Sequence, residues 1–453
     1  MIDNSDNSFD VVVCGGGPSG VAAALSASRH GAKTLLIERY GFCGGMSTAA
    51  LVNPWSGHEY TDPETKKEGS IIGGIFKEVA TKLFELGGFG SDLSASAFDE
   101  ELLKYVYDSM LIEAGVKVRF HSYIKSIEKE GEHILSVEVF SKGGSEMFYA
   151  KNFIDCTGDG DLASLANLPF KVGRNEDGLT QAMTVSFRMG NVDKKDIIAT
   201  GKLRSARALV EPYFQRDLAS GKLHYPYRNF IHFYDYPRPG ILHFNMTRIN
   251  EVSGLLPDDL THAEIEGRRQ AFLIGNWLIK NISWFKNAYV EKVATQVGVR
   301  ETRHIEGYYT INQDDIVNAA KFKDGIARSR YFIDIHNPKG AKDVQQIPGK
   351  LGEVKSGFAP PEGDYYEIPF RSLLPKKCSN LVVACRALSA THESSAAIRV
   401  MATMHGIGEA AGIAAAEASI QQKDVAQISG EWVRNQIPYM SEKPDFGIPW
   451  TKN

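Results

Sequence analysis

Residues 8–39 read "SFDVVVCGGGPSGVAAALSASRHGAKTLLIER". The apolar run Val11–Cys14 enters a glycine turn, and a helical pattern follows with Val21, Leu25 and alanines on one side. Gly31 ends that pattern, and a second apolar run, Thr34–Ile37, stops at Glu38. Strand, tight loop, helix, strand is a βαβ unit, and its crossover requires parallel strands. Gly15, Gly17 and Gly20 stand in G-x-G-x-x-G spacing, with Pro18 and Ser19 between the last two. The first glycine allows the turn, the second lets backbone approach a pyrophosphate, and the third lets helix and strand pack closely. The phosphates would rest on the free N–H groups and positive dipole end of the helix. Glu38 lies eighteen residues beyond Gly20, where a carboxylate can bond a ribose diol. An acidic residue there also argues against a 2′-phosphate, and so against NADP. The loop alone does not choose between FAD and NAD.

The rest of the chain narrows the class. Its 453 residues allow two or three domains. A net charge of −4 gives no electrostatic case for nucleic acid or an anionic membrane surface. No uninterrupted apolar segment is long enough to span a bilayer, and the polar, acidic start "MIDNSDNSFD" is unlike a signal peptide. The expected localisation is cytoplasmic. Cys14, Cys43, Cys156, Cys378 and Cys385 show no C-x-x-C spacing, which fits free thiols and no metal site. Cys43 has no cysteine partner a few residues away and is expected to be a small buried residue.

Helices are expected within residues 73–90 and 96–115, then a strand from Val116 to Phe120. From Ile124 to Phe153 apolar and polar residues alternate, with breaks at "KEGEH" and "SKGGSE", as in a three-stranded antiparallel meander. Its last strand runs into "FIDCTGDGD". From about residue 169 to 355 the texture becomes strand-like and aromatic, interrupted by one long helix, "THAEIEGRRQAFLIGNWLIKNI". Buried-strand texture returns at "NLVVACR", followed by a helix of small residues. The expected fold is therefore α/β: a Rossmann-like domain made of a parallel sheet plus the meander, from residues 1–168 and 356–453. A β-rich α+β substrate domain, residues 169–355, is inserted into it. A dehydrogenase that binds NAD completes its sheet in one stretch; a sheet interrupted by a second domain favours FAD.

With "GFCGGMSTAALV" (41–52), "FIDCTGDGDLA" (153–163), "GVRETRHIEGYYTINQDDI" (298–316), "YYEIPFRSLLP" (365–375) and the stretch 380–418 added to the first motif, the chain resembles the FAD-dependent oxidoreductases, flavoproteins with the two-domain glutathione-reductase-type FAD fold. The resemblance implies that Gly15, Gly17, Pro18, Ser19 and Gly20 line the pyrophosphate and that Glu38 and Arg39 lie beside the adenosine ribose. It implies Gly44, Gly45, Met46 and Ser47 along the FAD near the isoalloxazine, and backbone contacts from Ile124 to adenine. Thr157, Gly158 and Asp159 would turn over the adenosine side. Arg399, Val400, Met401 and Thr403 would bring the last helix to the flavin's pyrimidine edge. A helix N-terminus carries about half a positive charge and would stabilise the reduced flavin there. "GGMSTAALV" holds no histidine, so the FAD is expected to be non-covalent. Neither a second G-x-G-x-x-G in strand–helix context nor a cysteine cluster for an iron–sulfur centre is visible.

Flavin carries the redox step, and the protein must orient substrate and handle protons. Arg300 and Arg303 could hold a substrate carboxylate or phosphate bidentately, or either could form an interdomain ion pair. His392 could be a general acid or base, or a hydrogen-bonded structural histidine. His58 could reach the substrate side. His405, Glu409 and Glu417 fall inside the last helix and read as structural. Tyr225, Tyr227, Phe233, Tyr234 and Tyr236 could line a pocket, although such residues more often fill a core. The expected catalytic set is Arg300, Arg303, His392 and Arg399. The expected reaction is hydride transfer between a small polar organic molecule and flavin N5. A flavin-dependent reductase of an activated double bond, or a non-catalytic FAD-containing subunit of a complex, stays open. So do an external electron acceptor and an oligomer.

Overall fold

The structure is a computed structural model, and it describes residues 7–62, 64–66, 68–225, 228, 230–340 and 358–442. The boundary expected at 355/356 and Tyr227 lie outside the described residues.

The first strand, Ser8–Cys14, pairs in parallel with Thr34–Ile37 on one side and with Gly144–Asp155 on the other. Lys117–Arg119 adds in parallel outside Thr34–Ile37. The twelve-residue strand Gly144–Asp155 serves two partners. Its first half is the third strand of an antiparallel meander with Tyr123–Glu130 and His133–Ser141. Its second half pairs in parallel with Leu381–Val383, so the chain returns after more than two hundred residues to complete the sheet. The expected mixed sheet and meander are both present.

Alternation along the first strand fixes the layers. Val11 and Val13 join a core with the first helix (Pro18–Arg29), the helices Gly74–Glu85 and Glu100–Glu113, and the last long helix, Met401–Ile420. Val12 and Cys14 face the opposite way, into a core with Ile134, Val137, Val139 and Phe148 of the meander. Asp99 caps the helix Glu100–Glu113 by accepting from the N–H groups of Glu101 and Leu102.

A second antiparallel sheet orders Phe233–Asp235, Leu242–Phe244, Phe187–Gly190 and Tyr289–Val293. Its core, from Phe187 to Ala288, is distinct from the first. The expectation of a β-rich region is corrected, because its two longest elements are helices, Leu203–Ala219 and Pro257–Asn281. Leu203–Ala219 escapes notice because Pro212 sits inside it and reads as a breaker. Its buried residues Ala206, Val210, Phe214 and Asp217 nevertheless follow helical spacing. Ile311, Ile316, Ile326 and Ile333, within the stretch 169–355, pack into the first core. They do so because Gly325–Ser329 pairs with Tyr366–Pro369. No helix among the described residues is long and apolar enough to cross a membrane.

The first and last helices are in intimate contact. A Cβ placed on Gly408 would fall on the Ser19 carbonyl, and one on Gly412 would fall on Ala23 and Ser26. Gly406 instead faces Tyr439 and Ala327. Gly408→Ala or Gly412→Ala is therefore expected to lower the unfolding free energy by about 1–3 kcal/mol, the usual range for overpacking. Denaturant melts would measure this, and variants as stable as the parent would contradict the packing described.

Candidate functional site

A cavity of about 930 Å³ opens where the carboxyl ends of the parallel strands meet the second sheet. That volume is at the upper end for small-molecule sites. One part of it is a cradle. Gly15 turns the chain with φ +101°, and a Cβ there would strike the Cys156 carbonyl. A Cβ on Gly17 would meet no atom of the described residues within 4 Å, so the space above it is open. Gly17 starts the first helix, which has no side-chain cap and no acidic residue in its first turn. Its N-terminal N–H groups and dipole therefore face the cavity wall formed by Gly17, Pro18 and Ser19. The Ser19 hydroxyl donates to the Ala384 carbonyl at 2.5 Å and ties the helix to the returning strand.

Glu38 is buried at the cavity edge and accepts from the N–H groups of Gly16 (2.6 Å) and Tyr40 (2.8 Å). Burial raises its pKa, and these backbone donors oppose the rise. Each oxygen keeps a lone pair for a hydroxyl donor. Arg39 also lines the cavity and reaches Gln296 at 2.7 Å. Gly45 and Met46 form the next wall, and Thr157 and Gly158 another. At the far end of the cradle are Val400 and Met401. The stretch after Ser389 forms two helices, His392–Ile398 and Met401–Ile420, where one was expected. Val400 breaks them with extended backbone, so a second uncapped helix N-terminus opens on the same cavity. An open glycine turn, two uncapped helix starts and a buried carboxylate fit a dinucleotide that carries a pyrophosphate and a ribose.

Other expected cofactor residues support the cradle from behind. Gly20 packs on the Gly15 carbonyl. Gly44 has φ +113° and packs on Thr48. The Ser47 hydroxyl meets the Met401 sulfur at 2.7 Å. Thr403 is buried behind the helix start, 3.5 Å from the Arg328 carbonyl. Asp159 spends its carboxylate on Arg386 and Thr302. Ile124 sits in the meander opposite Val139 and does not line the cavity.

The remainder of the cavity is a polar chamber. Arg300 and Arg399 of the expected catalytic set line it, together with Arg207, Arg228 and Arg248. Asp334 is central: it accepts from the Tyr331 hydroxyl at 3.1 Å and from His336 Nε2 at 3.2 Å, with Arg399 at 3.8 Å. Arg248 approaches His336 Nδ1 at 3.3 Å. Arginine can only donate, so Nδ1 is the acceptor and Nε2 carries the proton to Asp334. Burial and the neighbouring Arg300 push His336 down to about 3, so it is neutral at neutral pH. Burial opposes the charge on Asp334, but His336, Arg399 and Arg300 outweigh it and hold the carboxylate well below its usual range. On another wall, His232 Nε2 and the Tyr234 hydroxyl are 2.7 Å apart. Burial, then Arg228 and Arg207, hold His232 well below its ordinary pKa.

The structure does not bring the other expected residues to the chamber. Arg303 bonds the Asp159 carbonyl (2.9 Å) and Asp161 (3.0 Å). His392 Nδ1 and His304 Nε2 both meet Glu301 Oε1, at 2.7 and 2.8 Å. Burial disfavours protonation of His392, but the Glu301 hydrogen bond and charge outweigh it and raise its pKa. His58 is buried between Ser96 and Phe76. His405 bonds Tyr107 and the Met401 carbonyl, each at 2.8 Å. Tyr225 and Phe233 fill the second core, and Tyr236 bonds Glu100 at 2.7 Å. Cys43 is buried and free, like the four other cysteines. Sequence reasoning missed Arg207, Arg228, Arg248, His232, Tyr331, Asp334 and His336. The available signal was charged and imidazole residues alternating with aromatics in "RNFIHFYDY" and "RYFIDIHNP".

Among solved structures, the chain is similar to a geranylgeranyl bacteriochlorophyll reductase-like protein from Thermoplasma acidophilum. That match has 14% identity and a TM-score of 0.43, and covers 98% of this chain and 94% of that one. It is also similar to a myxobacterial chondrochloren halogenase described as a variant of FAD-dependent halogenases. There the identity is 12% and the TM-score 0.47, with 96% of this chain and 79% of that one covered. Likenesses at these identities and scores carry no argument about substrate. The model of the family described as FAD dependent oxidoreductase matches residues 10–437. That match takes in the glycine cradle, the polar chamber and the returning strand alike, and the chain belongs to the FAD dependent oxidoreductase family.

Proposed function

We propose that this FAD-dependent oxidoreductase transfers a hydride between a small polar organic molecule and FAD, held non-covalently in the glycine cradle. The observation that carries this reading is continuity. One cavity joins the cradle, ending at Val400 and Met401, to a chamber of arginine, histidine and tyrosine side chains. Bound FAD supplies the two-electron chemistry at N5. The protein's own residues then have three tasks. Arg300 and Arg399 orient the substrate. The second sheet and its flanking segments wall the chamber with Arg207, Arg228, His232, Tyr234 and Asn245. Tyr234 and His232 handle the proton.

The relay follows from the hydrogen bonds. His336 has both ring nitrogens engaged, and Tyr331 donates to Asp334. The Tyr234–His232 pair has no such anchor. For an alcohol being oxidised, Tyr234 takes the substrate hydroxyl proton as it passes its own to neutral His232. Burial, Arg228 and Arg207 then cause His232 to release that proton to solvent rather than keep it. Re-oxidation of the cofactor then calls for an external acceptor.

Three outcomes are expected. Gly17→Ala should keep the folded far-UV circular dichroism but lose bound flavin absorbance, because its Cβ enters the open space of the cradle. Full flavin occupancy in that variant would sink the cradle assignment. In anaerobic bleaching by a substrate found in a screen of small polar compounds, Tyr234→Phe and His232→Asn should each lower kcat/KM by about 10²–10⁴-fold at unchanged FAD content. A pH profile tests the same relay. A depressed pKa keeps His232 neutral as pH falls through 6.5, the ordinary histidine value. The profile of kcat/KM should therefore show no acid limb near pH 6.5. A limb there that disappears in His232→Asn would contradict the assignment.

A further inference from the structure

We infer that the molecule taken by this chamber is a small organic dianion, carrying two carboxylates or a phosphate, gripped by Arg228, Arg248, Arg300 and Arg399. The inference rests on the chamber being the substrate site, and it adds the substrate's charge class.

Ion pairing elsewhere in the chain sets the contrast. Arg188 sits on Glu100 (2.5 Å), Arg434 on Glu367 (2.9 Å) and Arg303 on Asp161 (3.0 Å). Arg386 pairs with Asp159. These are ordinary pairings for guanidiniums withdrawn from water. In the chamber the pattern fails. Among the described residues, only Arg399 of the chamber arginines approaches a carboxylate, Asp334, at 3.8 Å. Arg228 donates to the Asn245 carbonyl, Arg300 to the Ala182 carbonyl and Arg207 to the Phe233 carbonyl. Arg248 has His336 as its partner. The Arg399 Nε is buried with no hydrogen-bond partner among the described residues.

The chamber's other acid, Glu211, forms no ion pair with a chamber arginine among the described residues. Glu211 accepts from the Ile231 N–H at 2.8 Å and from the Gln215 amide at 2.5 Å. Both chamber histidines add no acceptor charge. Burial lowers the pKa of Arg228, Arg248 and Arg300, Arg248 to about 10, and neighbouring arginines add to the lowering for Arg248 and Arg300. All three still carry charge at neutral pH. Guanidiniums packed this way repel one another unless oxygen anions enter between them. A single carboxylate offers two oxygens and one charge, and it leaves most of the cluster uncompensated. Two carboxylates or one phosphate bring a second negative charge and enough oxygens to meet several planar guanidinium donors at once. The FAD pyrophosphate is not that anion in this account, because it has its own seat on the uncapped helix start at Gly17–Ser19.

The test uses the FAD-loaded enzyme at fixed ionic strength. Flavin absorbance is recorded as succinate, inorganic phosphate, butyrate or succinamide is added. Succinate or phosphate should perturb the flavin with a Kd at least tenfold below that of butyrate, and succinamide should have no effect. Which of the two dianions binds tighter separates a dicarboxylate from a phosphate ester. Arg248→Gln and Arg300→Gln should each weaken the better dianion at least tenfold at unchanged FAD content. The ligand series on the unmodified enzyme stands even if a variant does not fold. The inference is overturned if butyrate or succinamide binds as tightly as the dianions, or if none binds. It is also overturned if the arginine variants lose FAD, which would assign the cluster to the cofactor. Bleaching by a neutral substrate would overturn it and leave the redox reading intact. Dianion binding to a flavin that no compound reduces would support it while sinking the redox reading.

Discussion

The close packing of the first helix on the last long helix holds this molecule together. Gly408 lies against the Ser19 carbonyl and Gly412 against Ala23 and Ser26. Helices usually pack with their axes about 8–10 Å apart, and glycines at the crossing allow the near end of that range. The consequence is positional. Both helices begin uncapped at one cavity, although their starts are nearly four hundred residues apart in sequence. The Ser19 bond to Ala384 and the pairing of Leu381–Val383 with Gly144–Asp155 lock the same junction from the sheet side. The glycine cradle therefore exists only when these two distant segments have met.

The second unit depends on that frame through charge. Glu100, at the start of a helix of the first core, accepts from Arg188 and Lys292 of the second sheet and from Tyr236. Breaking a buried pair by removing one partner costs roughly 3–5 kcal/mol, because the other charge is left unpaired. This cluster is self-compensated and structural. The chamber arginines have one carboxylate among them, Asp334, which only Arg399 approaches within 4 Å among the described residues. The chain thus pairs its buried guanidiniums where they only hold the fold. It leaves them open where a ligand is expected, beside helix starts that favour negative charge as well.

The cradle was the most legible part of the sequence, because its physics is local. Gly15, Gly17 and Glu38 are tied to one βαβ unit, and spacing along 31 residues carries the information. The meander and the returning strand were legible from alternation and from the "NLVVACR" run. The chamber was not. Its residues come from a proline-containing helix, strand ends and a loop, and no pair of segments is linked by a motif. Arg300 was found because it lies in a charge-rich stretch, and Arg303 and His392 were expected beside it for the same reason. Local sequence does not tell which of these side chains turns inward. Arg303 is taken by Asp159 and Asp161, and His392 by Glu301, both across the chain from them. Cys43 and His405 could be read as packing residues from the small and apolar residues around them, and both are buried, His405 between Tyr107 and the Met401 carbonyl.

A crystal structure of the FAD-loaded enzyme would show most directly how the flavin lies between the glycine cradle and the arginine chamber. The expected result has the pyrophosphate on the helix start at Gly17–Ser19, the ribose on Glu38, and the isoalloxazine against Val400 and Met401 with Arg300 and Arg399 before its open face. An isoalloxazine that points away from the arginine chamber, or a pyrophosphate seated on the arginines themselves, would contradict it.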